Sequence, residues 1–339
     1  MIDVMIPESM RRQHEQADAG FCLLPAPAKV NLFLHVVGQR ADGYHMLQTV
    51  FQFIDLYDYL SFKARDDGQI RVHLPQYPHL KTADNLIYRA AQRLRDQAPT
   101  QAARLGADIW CHKHIPMGGG LGGGSSNAAT TLIALNRLWG LGLSRSELQS
   151  IGLTLGADVP VFIFGQPAFA EGLGERLQAV PATPGTAILW LPQLSVATAQ
   201  VFADEGLTRD TKPVNIFDFV DWHESLERGL STFDIRGSLL GSDGRVSLYG
   251  KNDLQPVAAK QHPQLQLLLD GLQSQGLHAS VSGSGSSVFA LYATAPLANR
   301  QLELFRYRIQ FDTKTRDNLD VQSTLCHFLN AHPLYSWLG

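Results

Sequence analysis

The sequence is poor in the features that mark secreted and membrane proteins. It has three cysteines, Cys22, Cys111 and Cys326, which form neither a CxxC pair nor a disulfide framework. No stretch approaches the ~20 consecutive apolar residues of a transmembrane helix. The first 20 residues are charged and lack the apolar core of a secretory signal. We therefore predict a cytoplasmic protein with a polar tail over residues 1–20.

An excess of charge of either sign is also missing. The net charge of −3 and the pI near 6.4 provide no electrostatic basis for binding nucleic acid or an anionic membrane. The hydrophobic content of 45% is ordinary for a globular protein, and 339 residues exceed the usual size of a single core. We predict two domains, residues 21–180 and 186–339, acting on a small molecule. The oligomeric state stays open.

Glycine, by contrast, is concentrated in one stretch, which we call the glycine loop (residues 116–126). Glycine permits positive φ and close backbone approach, so a run of N–H groups can point at one anion. An apolar alternation over residues 107–115, interrupted by Lys113, predicts a strand before the loop, and a helix capped by Ser125 or Ser126 follows. A phosphate site at a helix N-terminus is the favoured interpretation, and an elaborate tight turn is the alternative.

Two better-known phosphate-binding patterns fit the loop less well. Gly118, Gly120 and Gly123 match GxGxxG, but so many glycines make this match uninformative. The acidic strand end expected about 20 residues later is missing, because that region has a helical pattern. A Walker A loop ends in Gly-Lys-Ser/Thr, and the glycine loop contains no lysine. A dinucleotide-dependent oxidoreductase and a non-catalytic nucleotide-binding regulator remain alternatives to a phosphoryl-transfer enzyme.

Four residues outside the loop are candidates for chemistry. Lys29 precedes a predicted strand and is either solvated or a positioning charge. Asp158 either caps the next helix or acts as a general base. Tyr44 and His45 follow an Asp-Gly turn; they are either ordinary surface residues or a stacking ring beside a hydrogen-bonding ring that reads a base.

Local patterns also predict secondary structure. Residues 60–63 and 70–74 flank Asp67-Gly68 and predict a hairpin. A helical period begins at Asn85, and Ser144 with Glu147 forms a capping-box pattern. In the second half we predict strands over 187–191 and 288–292, a helix over 264–273 and a second glycine turn over 281–287.

Three motifs together resemble the galactokinase, homoserine kinase, mevalonate kinase and phosphomevalonate kinase (GHMP kinase) superfamily. They are residues 27–32 continuing to 40–45, residues 116–129, and residues 155–160 continuing to 169–172. The Ser-Gly-Ser-Gly turn at residues 282–285 is similar to the superfamily's C-terminal glycine motif. The likeness covers about residues 24–295, and the segment near 302–320 is interpreted as a possible insert.

The resemblance implies an α+β fold of two domains with the active site between them. The N-terminal domain is expected to be a mixed-sheet nucleotide domain and the C-terminal one to be ferredoxin-like. The implied reaction is transfer of the γ-phosphoryl group of ATP, with Mg²⁺, to an alcohol. The subfamily with the closest likeness serves isoprenoid precursor synthesis and takes a cytidine diphosphate derivative of a branched polyol. A kinase of the homoserine or mevalonate type is the alternative.

The resemblance also implies residue roles. Asp158 is expected to take the hydroxyl proton and Lys29 to orient it. Asn31, Tyr44, His45 and, by position, Phe202 are expected to bind the cytidine diphosphate group, and residues 85–90 to form the adenine pocket. Ser125 or Ser126 is the candidate Mg²⁺ ligand. The expected ATP-phosphate residues are Pro116, Met117, Gly118, Gly119, Gly120, Leu121, Gly122, Gly123, Gly124, Ser125 and Ser126.

Overall fold

The computed structural model describes residues 22–232, 241, 244–311 and 320–338. The predicted polar tail and residues 312–319 of the possible insert lie outside these ranges. The strands are β1 (Cys22–Gln39), β2 (His45–Arg65), β3 (Ile70–His73), β4 (Gly106–His112), β5 (Ala168–Gly172), β6 (Arg176–Ala179), β7 (Thr186–Pro192), β8 (Arg245–Val246), β9 (Ser280–Val281), β10 (Val288–Tyr292) and β11 (Val321–His327).

Helices join and cover these strands. They are α1 (Leu86–Arg95), α2 (Gly123–Leu138), α3 (Arg145–Leu153), α4 (Val159–Phe164), α5 (Thr198–Ala203), α6 (Ile216–Thr232), α7 (Gln255–Gln261), α8 (Pro263–Ser274) and α9 (Ala295–Phe311). Short 3₁₀ turns lie at Thr82–Asp84, Ala102–Arg104 and Tyr335–Trp337. In the part of the chain that the structure describes, no helix is both long and apolar enough to cross a membrane.

The first sheet has the order β3-β4-β2-β5-β6, with β1 paired to β2. The pair β3–β4 is parallel and the others are antiparallel, so the sheet is mixed. The predicted hairpin around Asp67-Gly68 is therefore wrong. The turn exists, with φ of +69° at Gly68, but β4 occupies the edge of β2 and β3 pairs with the far side of β4.

The second sheet is antiparallel in the order β11-β7-β10-β8, with β9 beside β10. Both faces of its central strands β7 and β10 are buried, which explains the unbroken apolar run in β7. Leu189 and Leu191 pack against the first sheet, while Ile188 and Trp190 pack against α7, α8 and α9. The α+β prediction, with a mixed first sheet, is confirmed.

Several helix boundaries agree with the sequence pattern. The Asn85 side chain caps α1 by accepting the Ile87 N–H at 2.9 Å, and the capping box of Ser144 and Glu147 is present at α3. The predicted cap of α2 is wrong. That helix begins at Gly123 after Gly122, so Ser125 and Ser126 lie inside its first turn.

Candidate active site

A cleft of about 1070 Å³ is lined by residues from both halves of the chain. Lys29, Asp158 and residues 116–125 line it, and Phe202 and Arg209 join them from the second half. Asn31, Tyr44 and His45 line it as well, and so do Asn85, Leu86 and Ile87 from the expected adenine pocket. Two parts of the predicted site do not line the cleft: residues 88–90 of the expected adenine pocket, and Ser126, which is fully buried on the inner face of α2.

Positive φ recurs at every second residue of the glycine loop. Gly118, Gly120 and Gly122 have φ of +68°, +74° and +71°, a conformation that side chains rarely tolerate. Turns of this kind can direct successive backbone N–H groups into one concavity, which suits an anion. Gly122 leads directly into α2, so the positive end of that helix adds to the site.

The second glycine turn (residues 281–287) packs against the glycine loop. The Ser282 hydroxyl donates to the Gly120 carbonyl at 3.0 Å, and the Ser287 N–H donates to the Gly119 carbonyl at 3.0 Å. A Cβ on Gly120 would lie 2.0 Å from the Ser282 carbonyl oxygen. Glycine is thus required here by close approach as well as by φ, and the shape of the loop depends on the second half of the chain.

Lys29 and Asp158 form an ion pair in the cleft. Lys29 Nζ lies 3.2 Å from Asp158 Oδ2, and the Lys29 side chain is 3% exposed against 34% for Asp158. Register shifts in β1 lie on both sides of Lys29, between Pro27 and Ala28 and again after Asn31. Such bulges redirect side chains and are common beside active sites. They aim the Lys29 ammonium out of the sheet toward the cleft.

Asn31 holds the lysine from the other side. Its Oδ1 accepts from Lys29 Nζ at 2.6 Å, and its Nδ2 donates to Thr49 Oγ1 at 2.9 Å. Both polar ends of the Asn31 amide are therefore engaged within the protein. Its geometry favours a role in orienting Lys29, in addition to the contact with the cytidine diphosphate group that we expected from the resemblance.

Asp158 stands at the N-terminus of α4 but does not cap it. Its side chain makes no capping hydrogen bond and contacts Lys29 instead. The helix is held against the glycine loop by Phe162: a Cβ on Gly122 would lie 3.0 Å from Phe162 Cζ and 3.1 Å from Lys29 Cε. Close packing thus brings the loop, the lysine and the aspartate-bearing helix together.

A second ion pair, with both partners buried, lies under the start of α2. Lys113 Nζ contacts Asp58 Oδ2, and Asp58 Oδ1 also accepts the N–H groups of His114 and Ile115 at 2.7 and 2.9 Å. A Cβ on Gly123 would lie 3.1 Å from Lys113 Nζ. The ammonium therefore faces the end of the glycine loop and lines the cleft. The sequence signal for this ion pair was Lys113 itself, which interrupts the apolar alternation over residues 107–115.

Aromatic side chains gather at another part of the cleft. The His45 and Phe202 rings have centroids 5.1 Å apart and are tilted by 30°. The Tyr44 ring is 62% exposed and lines the cleft. Arg209 Nε donates to His45 Nε2 at 3.0 Å. Burial and, second, the Arg209 charge hold the pKa of His45 below its usual value. No sequence pattern pointed to Arg209.

The donors available for a divalent cation are hydroxyl and carboxylate oxygens. Within the described ranges, no group of three or more histidine, cysteine, aspartate or glutamate side chains could hold a metal ion. The Ser125 hydroxyl and the Asp158 carboxylate both line the cleft beside the loop. Such a sparse set of oxygen donors fits Mg²⁺, which commonly binds through one or two protein oxygens together with substrate phosphates and water.

The fold and this site define a small-molecule kinase of the GHMP type. Residues 85–166 match the GHMP kinases N terminal domain, and residues 235–305 match GHMP kinases C terminal. A homoserine kinase from Cytophaga hutchinsonii has the same fold, with a TM-score of 0.62, 17% identity and coverage of 94% of this chain and 98% of its own.

More similar proteins share one name. A 4-diphosphocytidyl-2-C-methyl-D-erythritol kinase from Bordetella parapertussis is 46% identical over 93% of this chain and 98% of its own length. The enzyme of that name from Herminiimonas arsenicoxydans is 49% identical over 78% and 84%. The crystal structure of a 4-(cytidine 5'-diphospho)-2C-methyl-D-erythritol kinase has a TM-score of 0.66 at 32% identity, covering 90% of this chain and 99% of that one. This chain belongs to the 4-diphosphocytidyl-2-C-methyl-D-erythritol kinase family of GHMP kinases.

Proposed function

We propose that the protein transfers the γ-phosphoryl group of ATP to the 2-hydroxyl of 4-diphosphocytidyl-2-C-methyl-D-erythritol. The products are the 2-phosphate and ADP, in the non-mevalonate route to isoprenoid precursors. The names of the relatives support this acceptor. The observation that carries the proposal is the Lys29–Asp158 pair, which lies in one cleft with a glycine loop and a group of aromatic rings.

In this proposal the glycine loop binds the ATP phosphates. Its backbone N–H groups and the N-terminus of α2 accommodate negative charge, as a Walker loop does, but without a loop lysine. The Lys113 ammonium beside Gly123 supplies a fixed positive charge instead. The Ser125 hydroxyl would hold Mg²⁺, which would supply positive charge to the ATP phosphates when bound.

Asp158 acts as the general base. Its partly exposed carboxylate accepts the proton of the acceptor hydroxyl as that oxygen bonds to the γ-phosphorus and the bond to the ADP oxygen breaks. Lys29 holds the carboxylate in place and stabilises negative charge on the transferred group. Because Asn31 fixes the Lys29 ammonium, this positive charge is already oriented before substrate binds.

Tyr44, His45 and Phe202 bind the cytidine end of the acceptor. An exposed tyrosine offers a flat face for a base, and a histidine beside a phenylalanine combines a hydrogen-bonding edge with an apolar wall. These rings line the same cleft as the glycine loop, which suits an acceptor with a base at one end and a hydroxyl at the other.

A coupled assay for ADP tests the proposal directly. We expect turnover with ATP and the cytidylyl acceptor, and turnover slower by orders of magnitude with homoserine or mevalonate. Thermal stabilisation is expected with ATP and not with NAD, since only a ligand that binds the native state raises the melting temperature. Faster turnover of homoserine or mevalonate, or stabilisation by NAD alone, would overturn it.

A further inference from the structure

Arg209 closes a ring of contacts around the aromatic part of the cleft. Its Nε donates to His45 Nε2 at 3.0 Å, and its Nη2 donates to the Phe202 carbonyl at 3.1 Å. The ring of Phe202 in turn lies against the ring of His45. Arg209 thus holds the backbone of one aromatic residue and the side chain of the other, and these two residues come from different halves of the chain.

The guanidinium is itself anchored by backbone. Nη2 also donates to the Asp204 carbonyl at 2.8 Å, and Nη1 donates to the Leu207 carbonyl at 3.1 Å. These carbonyls belong to the turn that follows α5. The Asp204 side chain stiffens this turn by accepting from the Gly206 N–H at 2.8 Å and from Gln261 Nε2 at 2.9 Å. The position of Arg209 Nε is therefore set before any ligand binds.

This contact also determines where the His45 proton lies. A guanidinium has only donors and stays charged at all ordinary pH values, so the nitrogen that it contacts must be an unprotonated acceptor. His45 Nε2 is that nitrogen. A neutral imidazole whose Nε2 accepts carries its proton on Nδ1. A doubly protonated ring would place an N–H against the Arg209 N–H.

We propose that Arg209 is a positioning residue for the acceptor, which fixes His45 as the neutral Nδ1–H tautomer and holds it against Phe202. This inference rests on the proposed function, because it assigns the cytidine end of the acceptor to these rings. Arg209 acts on the acceptor through His45 and Phe202. Loss of Arg209 is therefore expected to weaken binding of the acceptor and not binding of ATP.

Acceptor kinetics separate this role from general support of the fold. In Arg209→Met, the KM for the cytidylyl acceptor should rise about tenfold, the scale of one hydrogen bond to a charged group, while the KM for ATP and kcat change less than about twofold. Arg209→Lys keeps the charge but cannot make the forked set of contacts, so its acceptor KM should also rise. The matched control is Lys260→Met. The Lys260 ammonium lies 3.8 Å from the Asp204 carboxylate of the same turn and does not contact His45, so this variant removes a nearby cation only.

Nitrogen NMR of His45 in the wild-type protein provides a second test that does not require a variant to fold. We expect an unprotonated Nε2 and a protonated Nδ1, with this preference lost in Arg209→Lys. A protonated Nε2 in the wild type would overturn the inference. The inference would also be overturned if the acceptor KM of Arg209→Met stayed within about twofold of the wild-type value, or if it rose equally with the ATP KM. Either result would leave the proposed function intact. Wild-type enzyme that fails to turn over the cytidylyl acceptor would overturn both.

Discussion

The ammonium of Lys29 and the carboxylate of Asp158 lie 3.2 Å apart, the first buried and the second partly open to the cleft. The asymmetry matters because a buried ammonium remains fixed while an accessible carboxylate can meet a substrate. Asn31 makes the arrangement tighter by accepting from the same ammonium at 2.6 Å.

Replacing Asp158 by Asn should abolish most of the catalysis. The amide cannot take the hydroxyl proton, so kcat should fall by about 10²–10⁴-fold. Binding of ATP, measured by thermal shift or calorimetry, should be nearly unchanged, because the glycine loop does not depend on this carboxylate. Near-normal turnover of the variant would contradict the assignment of Asp158 as general base.

Replacing Tyr44 by Ala should weaken acceptor binding selectively. A stacked base is worth about 1–3 kcal/mol, so the acceptor KM should rise about 5- to 150-fold while the ATP KM stays constant. Phe217→Ala is the matched control, because Phe217 is 69% exposed and does not line the cleft. Equal increases in both KM values for Tyr44→Ala would show that the ring does not select the acceptor.

Replacing Gly120 by Ala should separate the glycine loop from the second glycine turn. The new Cβ would meet the Ser282 carbonyl oxygen at 2.0 Å, and φ is +74°. Gly140→Ala is the control, since φ is +65° there but no atom lies within 4 Å. Gly140→Ala should cost only the left-handed strain of about 1–2 kcal/mol in the free energy of unfolding. Gly120→Ala should cost more and also lose ATP affinity; equal effects of the two variants would contradict the contact.

Removing the Lys113 ammonium should affect stability and ATP binding by separate routes. Lys113→Met leaves Asp58 buried without its cation, which should cost about 3–5 kcal/mol in the free energy of unfolding. The double variant Asp58→Asn, Lys113→Met should recover much of that loss, because no uncompensated charge remains. ATP affinity should stay low in both. Recovered ATP affinity in the double variant would limit Lys113 to a structural role.

His332 should make the protein sensitive to mild acid. Complete burial lowers its pKa to about 3, from 6.5 for an ordinary histidine, and its Nδ1 accepts the Leu334 N–H at 3.0 Å. Between these values the unfolded chain binds a proton that the folded chain does not. The free energy of unfolding should therefore fall as pH falls below 6.5, approaching about 1.4 kcal/mol per pH unit.

Urea denaturation between pH 8 and pH 4.5 measures this dependence. His332→Asn keeps an acceptor for the Leu334 N–H but cannot titrate, so its stability should fall less steeply below pH 6.5. His278→Asn, at an exposed position, should retain the wild-type slope. Identical slopes for the wild type and His332→Asn would show that another group controls acid sensitivity.

Features encoded within a few residues could be predicted from the sequence. The capping box at Ser144, the helix start at Asn85 and the second glycine turn are all present, because each depends on neighbouring backbone and side-chain groups. The predictions of a hairpin around Asp67-Gly68 and of capping of α2 by Ser125 or Ser126 were wrong. Both were decided by longer-range packing: β4 takes the edge of β2, and α2 starts earlier where Gly122 packs under Phe162.

The sequence by itself determined the family motifs, the glycine-rich loop and the residue types of the site, since these are local patterns. Only the tertiary structure decided which side chains meet. Lys29 reaches Asp158, Lys113 reaches Asp58 and Arg209 reaches His45 through contacts between segments far apart along the chain. No local pattern encodes such contacts, because they depend on how the two sheets and their connecting turns pack around one cleft.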